Sequence, residues 1–124
     1  MTYLIVFLGA GIGGALRHGV NVATARTLGQ GFPAWTMIVN VAGSFAMGLL
    51  AAWFLSRPGI SHDVRLFLTT GLLGGFTTFS AFSLDAVTLI ERGQWGAALF
   101  YIAGTVVAGI GALFLALALT RGAA

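Results

Sequence analysis

The sequence lacks cysteine altogether and contains very few charged residues. Without cysteine, disulfide bonds, thiol catalysis and cysteine-ligated metal sites are excluded. Charged residues make up 7% of the 124 residues and hydrophobic residues make up 58%, whereas roughly 25% of residues in ordinary soluble domains are charged. A soluble fold of this length has nowhere to bury so much apolar surface, so the composition predicts a membrane protein.

The few charged residues also exclude several functions. The six basic residues are arginines scattered singly along the chain, so we expect no nucleic-acid partner. The three acidic residues form no recognisable set with a nucleophile and a base, and we expect no enzymatic reaction. The first basic residue is Arg17, so the charged leader of a signal peptide is missing and we expect the first apolar segment to be retained.

Four long apolar segments occupy most of the chain. Each is close to or above the roughly 20 residues that cross the hydrocarbon core as a helix, and they cover residues 3–25, 33–55, 64–89 and 95–119. Both prolines, Pro33 and Pro58, lie at or between the ends of these segments. The sequence therefore predicts an all-α membrane protein with four transmembrane helices, in a single domain of residues 1–124.

The third apolar segment contains residues that disfavour a continuous helix. Within residues 71–83, three glycines precede the pair Thr77 and Thr78. Glycine costs roughly 1 kcal/mol in a helix interior, and threonine competes for backbone hydrogen bonds. We therefore predict a broken third helix. Irregular backbone at membrane depth is tolerated where it is buried in protein or lines an ion-filled cavity, which indicates a transport site.

The arginines give no clear orientation in the membrane. With four spans, both chain ends share one side with the second connector, which places Arg57, Arg65 and Arg121 opposite Arg26 and Arg92. Orientation normally follows an excess of basic residues on the cytoplasmic side. Because no such excess exists here, we predict insertion in both orientations and an antiparallel homodimer. A single orientation fixed by other features remains the alternative.

Small and polar residues recur every four positions in three of the spans. Such stripes favour close helix packing, and the glycines are most simply explained in that way. The first stripe also offers a sheltered face for a charge. Amide and phenol groups deep in a membrane need partners, so the second and third stripes predict either an interhelical hydrogen-bond network or a polar track. The three stripes are Gly9, Gly13, Arg17 and Asn21; Thr36, Asn40, Ser44 and Gly48; and Tyr101, Thr105 and Gly109.

Two phenylalanines follow the predicted break at a spacing of three residues. Phe79 and Phe82 present neighbouring faces, as do Ser80 and Ser83. The edge of a phenyl ring is the positive part of its quadrupole, so two ring edges beside hydroxyl groups suit a small anion. Ordinary packing is the alternative for these rings. The carbonyl groups at the end of the preceding half-helix carry partial negative charge and suit a small cation such as Na⁺.

The chain resembles the Fluc family of fluoride channels, also called the CrcB family, over nearly its whole length. The matching motifs are GGALR at 13–17, TMIVNVAGSF at 36–45 and GGFTTFSAFS at 74–83. The resemblance implies a dual-topology antiparallel homodimer in the inner (plasma) membrane, with two fluoride pores and a structural Na⁺ at its centre. It also implies a function, which is the passive exit of cytoplasmic fluoride and hence protection from fluoride toxicity.

The resemblance also assigns roles by position. Phe79 and Phe82 would line the fluoride pathway and Asn40 would donate to the ion. Arg17 would lie near a pore mouth. The backbone carbonyls of Gly74 and Thr77 would hold Na⁺. The further pathway residues are Ser80, Ser83, Thr36, Tyr101 and Thr105, and the departures from the family pattern are Trp35, Ala81, Thr105 and Asp85.

Two other functions remain open at this point. A small dual-topology multidrug transporter that is coupled to protons needs a carboxylate within the membrane, and only Asp85 is placed to supply one. An accessory membrane subunit would need the packing glycines, but it gives no reason for the hydroxyl groups and phenylalanines after the break.

Overall fold

The computed structural model describes residues 1–29 and 31–122, and the side chain of Arg121 lies outside the described part. Within these residues the helices are α1 (Thr2–Leu28), α2 (Ala34–Ser56), α3 (His62–Leu66), α4 (Gly74–Phe76), α5 (Phe79–Glu91) and α6 (Trp95–Gly122). A π-helix, Phe67–Leu73, joins α3 to α4. Four helical stretches of the described residues are long and apolar enough to cross a membrane: Thr2–Leu28, Ala34–Ser56, His62–Glu91 and Trp95–Thr120. The predicted all-helical architecture with four such helices is confirmed.

Glycines and a serine cap explain where several helices begin or end. Gly29 follows α1 and Gly93 follows α5, each at φ 76°, a left-handed conformation that glycine adopts without steric cost. The Ser61 hydroxyl caps α3 by accepting a hydrogen bond from the backbone N–H of Val64 at 3.2 Å. The connectors between the long helices are short, and the long helices contact one another.

Helix α1 contacts the π-helix and α4 through backbone atoms. A Cβ atom at Gly9 would lie 2.8 Å from the carbonyl oxygen of Phe67, and one at Gly13 would overlap the carbonyl oxygen of Leu72. On the opposite side, a Cβ atom at Gly75 would overlap the carbonyl of Ala10. The prediction that the glycine stripe of the first span lets another helix approach closely is confirmed.

Helices α2 and α6 pack side by side and run parallel. The methyl end of Met37 faces Gly104, the hydroxyl of Ser44 faces Gly109, and Gly48 faces Ala116. Because these contacts follow the same order along both helices, the polar stripes of α2 and α6 meet along one seam. We call this contact the α2–α6 seam.

Two threonines separate α4 from α5. Thr77 (φ −91°, ψ 159°) and Thr78 (φ −153°, ψ 118°) are extended. Helix α5 then begins at Phe79, where the Thr78 hydroxyl accepts a hydrogen bond from the N–H of Ala81 at 3.2 Å. Gly74 and Gly75 are themselves helical, so the extended backbone falls on the threonines rather than on the glycine pair.

Candidate functional site

A carboxylate is held between two hydroxyl groups at one end of the α2–α6 seam. Thr36 Oγ1 donates to Asp85 Oδ2 at 2.6 Å, and the Tyr101 hydroxyl donates to the same oxygen at 3.0 Å. Thr36 and Tyr101 are both 0% exposed. This cluster joins α2, α5 and α6, and it brings two predicted pathway residues together around an acid.

The importance of Asp85 was only partly predictable. The sequence marks it as the one acid expected within the membrane, close to the end of the third apolar segment, but its contacts with Thr36 and Tyr101 join residues 49 and 16 positions away. A lone intramembrane acid is a signal that a donor partner must exist. The signal does not say which helix supplies that partner.

Aromatic rings cover this cluster on one side. The ring centroid of Phe82 lies 5.2 Å from that of Tyr101, and Phe79 lies 5.8 Å from Phe82. Phe32 meets Tyr101 edge to face at 5.6 Å. Phe79 is 78% exposed, whereas Phe82 is partly buried. The two predicted phenylalanines therefore form a row that runs from the outer surface of the chain to the buried phenol.

A polar cavity of about 330 Å³ adjoins Asp85. Its walls come from α1, α5 and the segment that leads into α2. Its polar side chains are those of Asn21, Thr24, Asp85, Thr88 and Arg92. The cavity gives the Asp85 cluster a polar approach, which we call the vestibule.

Asn40 binds the extended backbone between α4 and α5. Its Nδ2 donates to the carbonyl oxygen of Thr78 at 3.0 Å, and its Oδ1 accepts from the N–H of the same residue at 2.8 Å. One of the two amide hydrogens on Nδ2 is thus engaged, and the other is left for a further acceptor. Asn40 therefore positions the extended backbone and retains one donor.

The remaining predicted hydroxyl groups differ in their bonding. Ser83 donates to the Phe79 carbonyl at 3.0 Å, and Ser80 lies on the exposed surface with its hydroxyl 3.3 Å from that of Thr78. Thr105 is 8% exposed, and its buried Oγ1 has no hydrogen-bond partner among the described residues. A buried hydroxyl without a protein partner is costly, so the hydroxyl of Thr105 is free to donate to a ligand or a water molecule.

Arg17 lies against α4. Its Nε donates to the carbonyl oxygen of Gly75 at 3.0 Å, and its side chain is partly buried. This contact satisfies one of the carbonyls at the end of a helical segment. The sheltered face predicted for a charge on the first span is confirmed, while the role at a pore mouth remains a prediction.

Three carbonyls around the extended segment accept hydrogen bonds. Leu73 accepts from the N–H and the hydroxyl of Thr77, Gly75 accepts from Arg17, and Thr78 accepts from Asn40. Among the described residues, no such bond reaches the carbonyls of Gly74 or Thr77. No group of three or more histidine, cysteine, aspartate or glutamate residues in the described part is arranged to hold a metal ion.

A second cavity, of about 260 Å³, lies beside the extended segment. We call it the inner cavity. It is lined by Asn40 and Ser44 from α2, by Thr69 from the π-helix, and by Gly74 and Thr77, whose carbonyls are the predicted Na⁺ ligands. The structure thus places Thr36 and Tyr101 around Asp85, which adjoins the vestibule, and places Asn40, Gly74 and Thr77 at the inner cavity.

Comparisons with known proteins cover nearly the whole chain. The profile of a family described as CrcB-like protein, Camphor Resistance (CrcB), matches residues 4–117. The chain is 62% identical to the fluoride-specific ion channel FluC of Methylobacterium nodulans and 61% identical to that of Methylobacterium sp. (strain 4-46), in each case over 98% of this chain and 97% of the relative. It is 54% identical to the protein of the same name from Rhodopseudomonas palustris, over 98% of both chains.

Proposed function

The chain belongs to the CrcB family, and we propose that it forms a fluoride-selective channel through which cytoplasmic fluoride leaves the cell passively. Relatives named fluoride-specific ion channels support this function. Four helices long and apolar enough to cross a membrane make it a multi-pass protein of the inner (plasma) membrane. The role is protection from fluoride toxicity, and no enzymatic step is involved.

The observation that carries the proposal is the row of hydrogen-bond donors along the α2–α6 seam. A small anion leaves water only where other donors replace its hydration shell. Thr36 and Tyr101 supply buried hydroxyls, Thr105 supplies one without a partner, and Asn40 retains an amide hydrogen. Ring edges of Phe79 and Phe82 extend this row, with Ser80 and Ser83 beside them. These groups hold an anion without a fixed positive charge that would trap it.

Fluoride that enters from the vestibule must compete with the Asp85 carboxylate for its hydrogen-bond donors. The carboxylate already accepts from the Thr36 and Tyr101 hydroxyls, so fluoride must take over these donors. The carboxylate keeps both hydroxyls oriented while no ion is present. Its negative charge also weakens anion binding nearby, which favours release over trapping.

The membrane potential supplies the driving force. With a negative interior, an anion gains about 2.3 kcal/mol per charge per 100 mV by moving outwards. No coupled ion is then required. Arg17 and Arg92 are the cationic groups beside the pathway, and we assign Arg17 to a pore mouth and Arg92 to the wall of the vestibule.

An antiparallel homodimer is part of the proposal. The near balance of arginines between the two sides supports insertion in both orientations. Gly74, Phe79 and Leu84 are exposed on one helical span, where a second copy would cover them. In the assembly, each single domain of residues 1–124 contributes a broken third helix, and the two copies form two pores.

The carbonyls of Gly74 and Thr77 are the ligands proposed for a structural Na⁺. Hydrogen bonds occupy the neighbouring carbonyls of Leu73, Gly75 and Thr78, which leaves these two oxygens available as hard ligands. Two carbonyls do not complete a cation shell, so a second copy would supply the others. A bound Na⁺ would neutralise the partial negative charge of these carbonyls and join the two copies.

Sodium-dependent thermal stability of the purified dimer tests this site. Gly74→Val places a branched side chain on the exposed face and should abolish the stabilisation by Na⁺, whereas Gly96→Val, at an open position elsewhere, should retain it. Equal stabilisation of the parent and Gly74→Val by Na⁺ would remove the proposed cation site.

The multidrug transporter finds no support. Relatives that match nearly the whole chain are named fluoride-specific ion channels. Asp85, the only carboxylate available for proton coupling, has two donors on one oxygen. Efflux from liposomes tests the channel itself: vesicles containing the purified protein should release fluoride, detected by a fluoride electrode, and retain chloride. Release of neither anion, or of both equally, would contradict the proposed function.

A further inference from the structure

Ser44 lies on the α2–α6 seam beyond Thr105, and the proposed pathway has not yet given it a role. From the geometry of the α2–α6 seam, we propose that Ser44 is a further fluoride-binding residue, which passes the ion between Thr105 and the inner cavity. The inference rests on the proposed channel function and assigns a further step on the same pathway.

The register of the seam places Ser44 in line with the other donors. Helix α2 presents Thr36, Asn40 and Ser44 at intervals of one turn, and α6 runs parallel with Tyr101 and Thr105 at the same interval. Thr36 and Tyr101 meet at Asp85, which fixes the start of the series. One turn beyond Thr105, α6 has no side chain to continue the row, because the next position is Gly109.

The hydroxyl of Ser44 takes the place of the missing side chain. Its Oγ lies 3.5 Å from the position that a Cβ atom of Gly109 would occupy, so the hydroxyl faces α6 at that point. Gly109 is buried, and its lack of a side chain leaves space next to the hydroxyl. Ser44 also lines the inner cavity together with Asn40.

The bonding of Ser44 differs from that of its neighbours in the cavity. Thr69 and Thr77 donate to carbonyls four residues earlier, at 2.7 and 2.9 Å, so their hydroxyl hydrogens are engaged. In the described part of the chain, Ser44 makes no such bond. Its hydroxyl hydrogen therefore stays available to an ion, as does that of Thr105, whose buried oxygen has no partner among these residues.

Moving the hydroxyl across the seam tests this assignment. We expect Ser44→Ala to slow fluoride efflux from liposomes on the order of tenfold, the loss of one hydrogen bond to a charged group. Ser44→Ala combined with Gly109→Ser returns a hydroxyl from α6 to the same space and should restore most of the flux. Thr120→Ala removes a hydroxyl of α6 that is bonded within its own helix, and it should conduct like the parent.

The outcomes separate this inference from the channel function. A parent protein that conducts no fluoride would overturn the proposed function, whereas a conducting parent with an unchanged Ser44→Ala variant would overturn only the role of Ser44. Slow flux in both Ser44→Ala and the double variant would make Ser44 a packing residue. If Ser44→Ala does not assemble, Gly109→Ala supplies the test with Ser44 intact. The methyl group of the new alanine fills the space beside the Ser44 hydroxyl and should slow fluoride efflux. Unchanged efflux in Gly109→Ala would also overturn the inference.

Discussion

Asn40 forms two hydrogen bonds with the backbone of Thr78: its Nδ2 donates to the carbonyl oxygen at 3.0 Å, and its Oδ1 accepts from the N–H at 2.8 Å. The pair joins α2 to the extended backbone between α4 and α5. An amide is the side chain that satisfies a backbone N–H and carbonyl together. Asn40 therefore fixes the position at which α5 begins, and with it the placement of Phe79.

Replacing this amide by a carboxylate should stop conduction. Asn40→Asp keeps an acceptor for the N–H of Thr78 but loses the donor to its carbonyl, and it places negative charge on the anion pathway. We expect fluoride efflux at the level of empty liposomes and a loss of roughly 1–3 kcal/mol in stability. Asn40→Ala, which adds no charge, should lose similar stability but keep more of the flux. Parent-like flux in Asn40→Asp would exclude Asn40 from the pathway.

The two phenylalanines should act through their ring edges rather than their bulk. Isoleucine is apolar and of comparable size but has no quadrupole, so Phe79→Ile and Phe82→Ile should each slow fluoride efflux severely. A loss of about 1.4 kcal/mol in ion stabilisation corresponds to roughly tenfold. The dimer should still form, as judged by its elution in detergent.

Phe7→Ile is the matched control for this pair. Phe7 is 73% exposed on α1, away from the Asp85 cluster, and its replacement should leave efflux unchanged. If both Phe79→Ile and Phe82→Ile conduct fluoride at the parent rate, these rings are ordinary packing groups.

The close contact between α1 and the third span should tolerate no side chain at Gly13. Gly13→Ala would force its methyl group into the carbonyl of Leu72, whereas a Cβ atom at Gly11 meets no atom within 4 Å. We expect Gly13→Ala to lose roughly 1–3 kcal/mol in stability through overpacking. Gly11→Ala should be neutral or gain up to about 1 kcal/mol from helix propensity. Thermal unfolding in detergent measures both, and equal melting temperatures would contradict the observed contact.

Orientation in the membrane should respond to a small change in charge. Two arginines added between α2 and α3 should bias all copies to one orientation and abolish fluoride efflux, because an antiparallel dimer needs both orientations. One arginine added there and one in the turn between α5 and α6 preserves the balance and should preserve the flux. Co-expression with a variant of opposite bias should restore activity. Full activity from a population of one orientation would rule out the antiparallel dimer.

The sequence predicted the long helices well because span length depends on local composition. Apolar segments of sufficient length predicted four helices, and four are found in the described residues. The small residues of the first span likewise predicted a close helix contact, which Gly9 and Gly13 make. Both features require only the period of a helix and the size of the side chains.

Features that depend on distant partners were not predictable to the same degree. No composition signal marks the π-helix Phe67–Leu73, which lies against the glycines of α1. Helix propensity disfavours the glycine pair Gly74 and Gly75, yet both are helical and the extended residues are Thr77 and Thr78. Asn40, on another helix, forms hydrogen bonds with the backbone of Thr78. Tertiary hydrogen bonds thus decide where helical geometry stops.

The reversal potential of the current through a planar bilayer tests passive fluoride selectivity most closely. With a tenfold fluoride gradient and equal chloride on both sides, the current of the parent protein should reverse near the fluoride equilibrium potential, about 59 mV. Adding a pH gradient should leave that value unchanged, because no proton is coupled to fluoride. A reversal potential that stays at zero, or one that moves with the pH gradient, would contradict a passive fluoride channel.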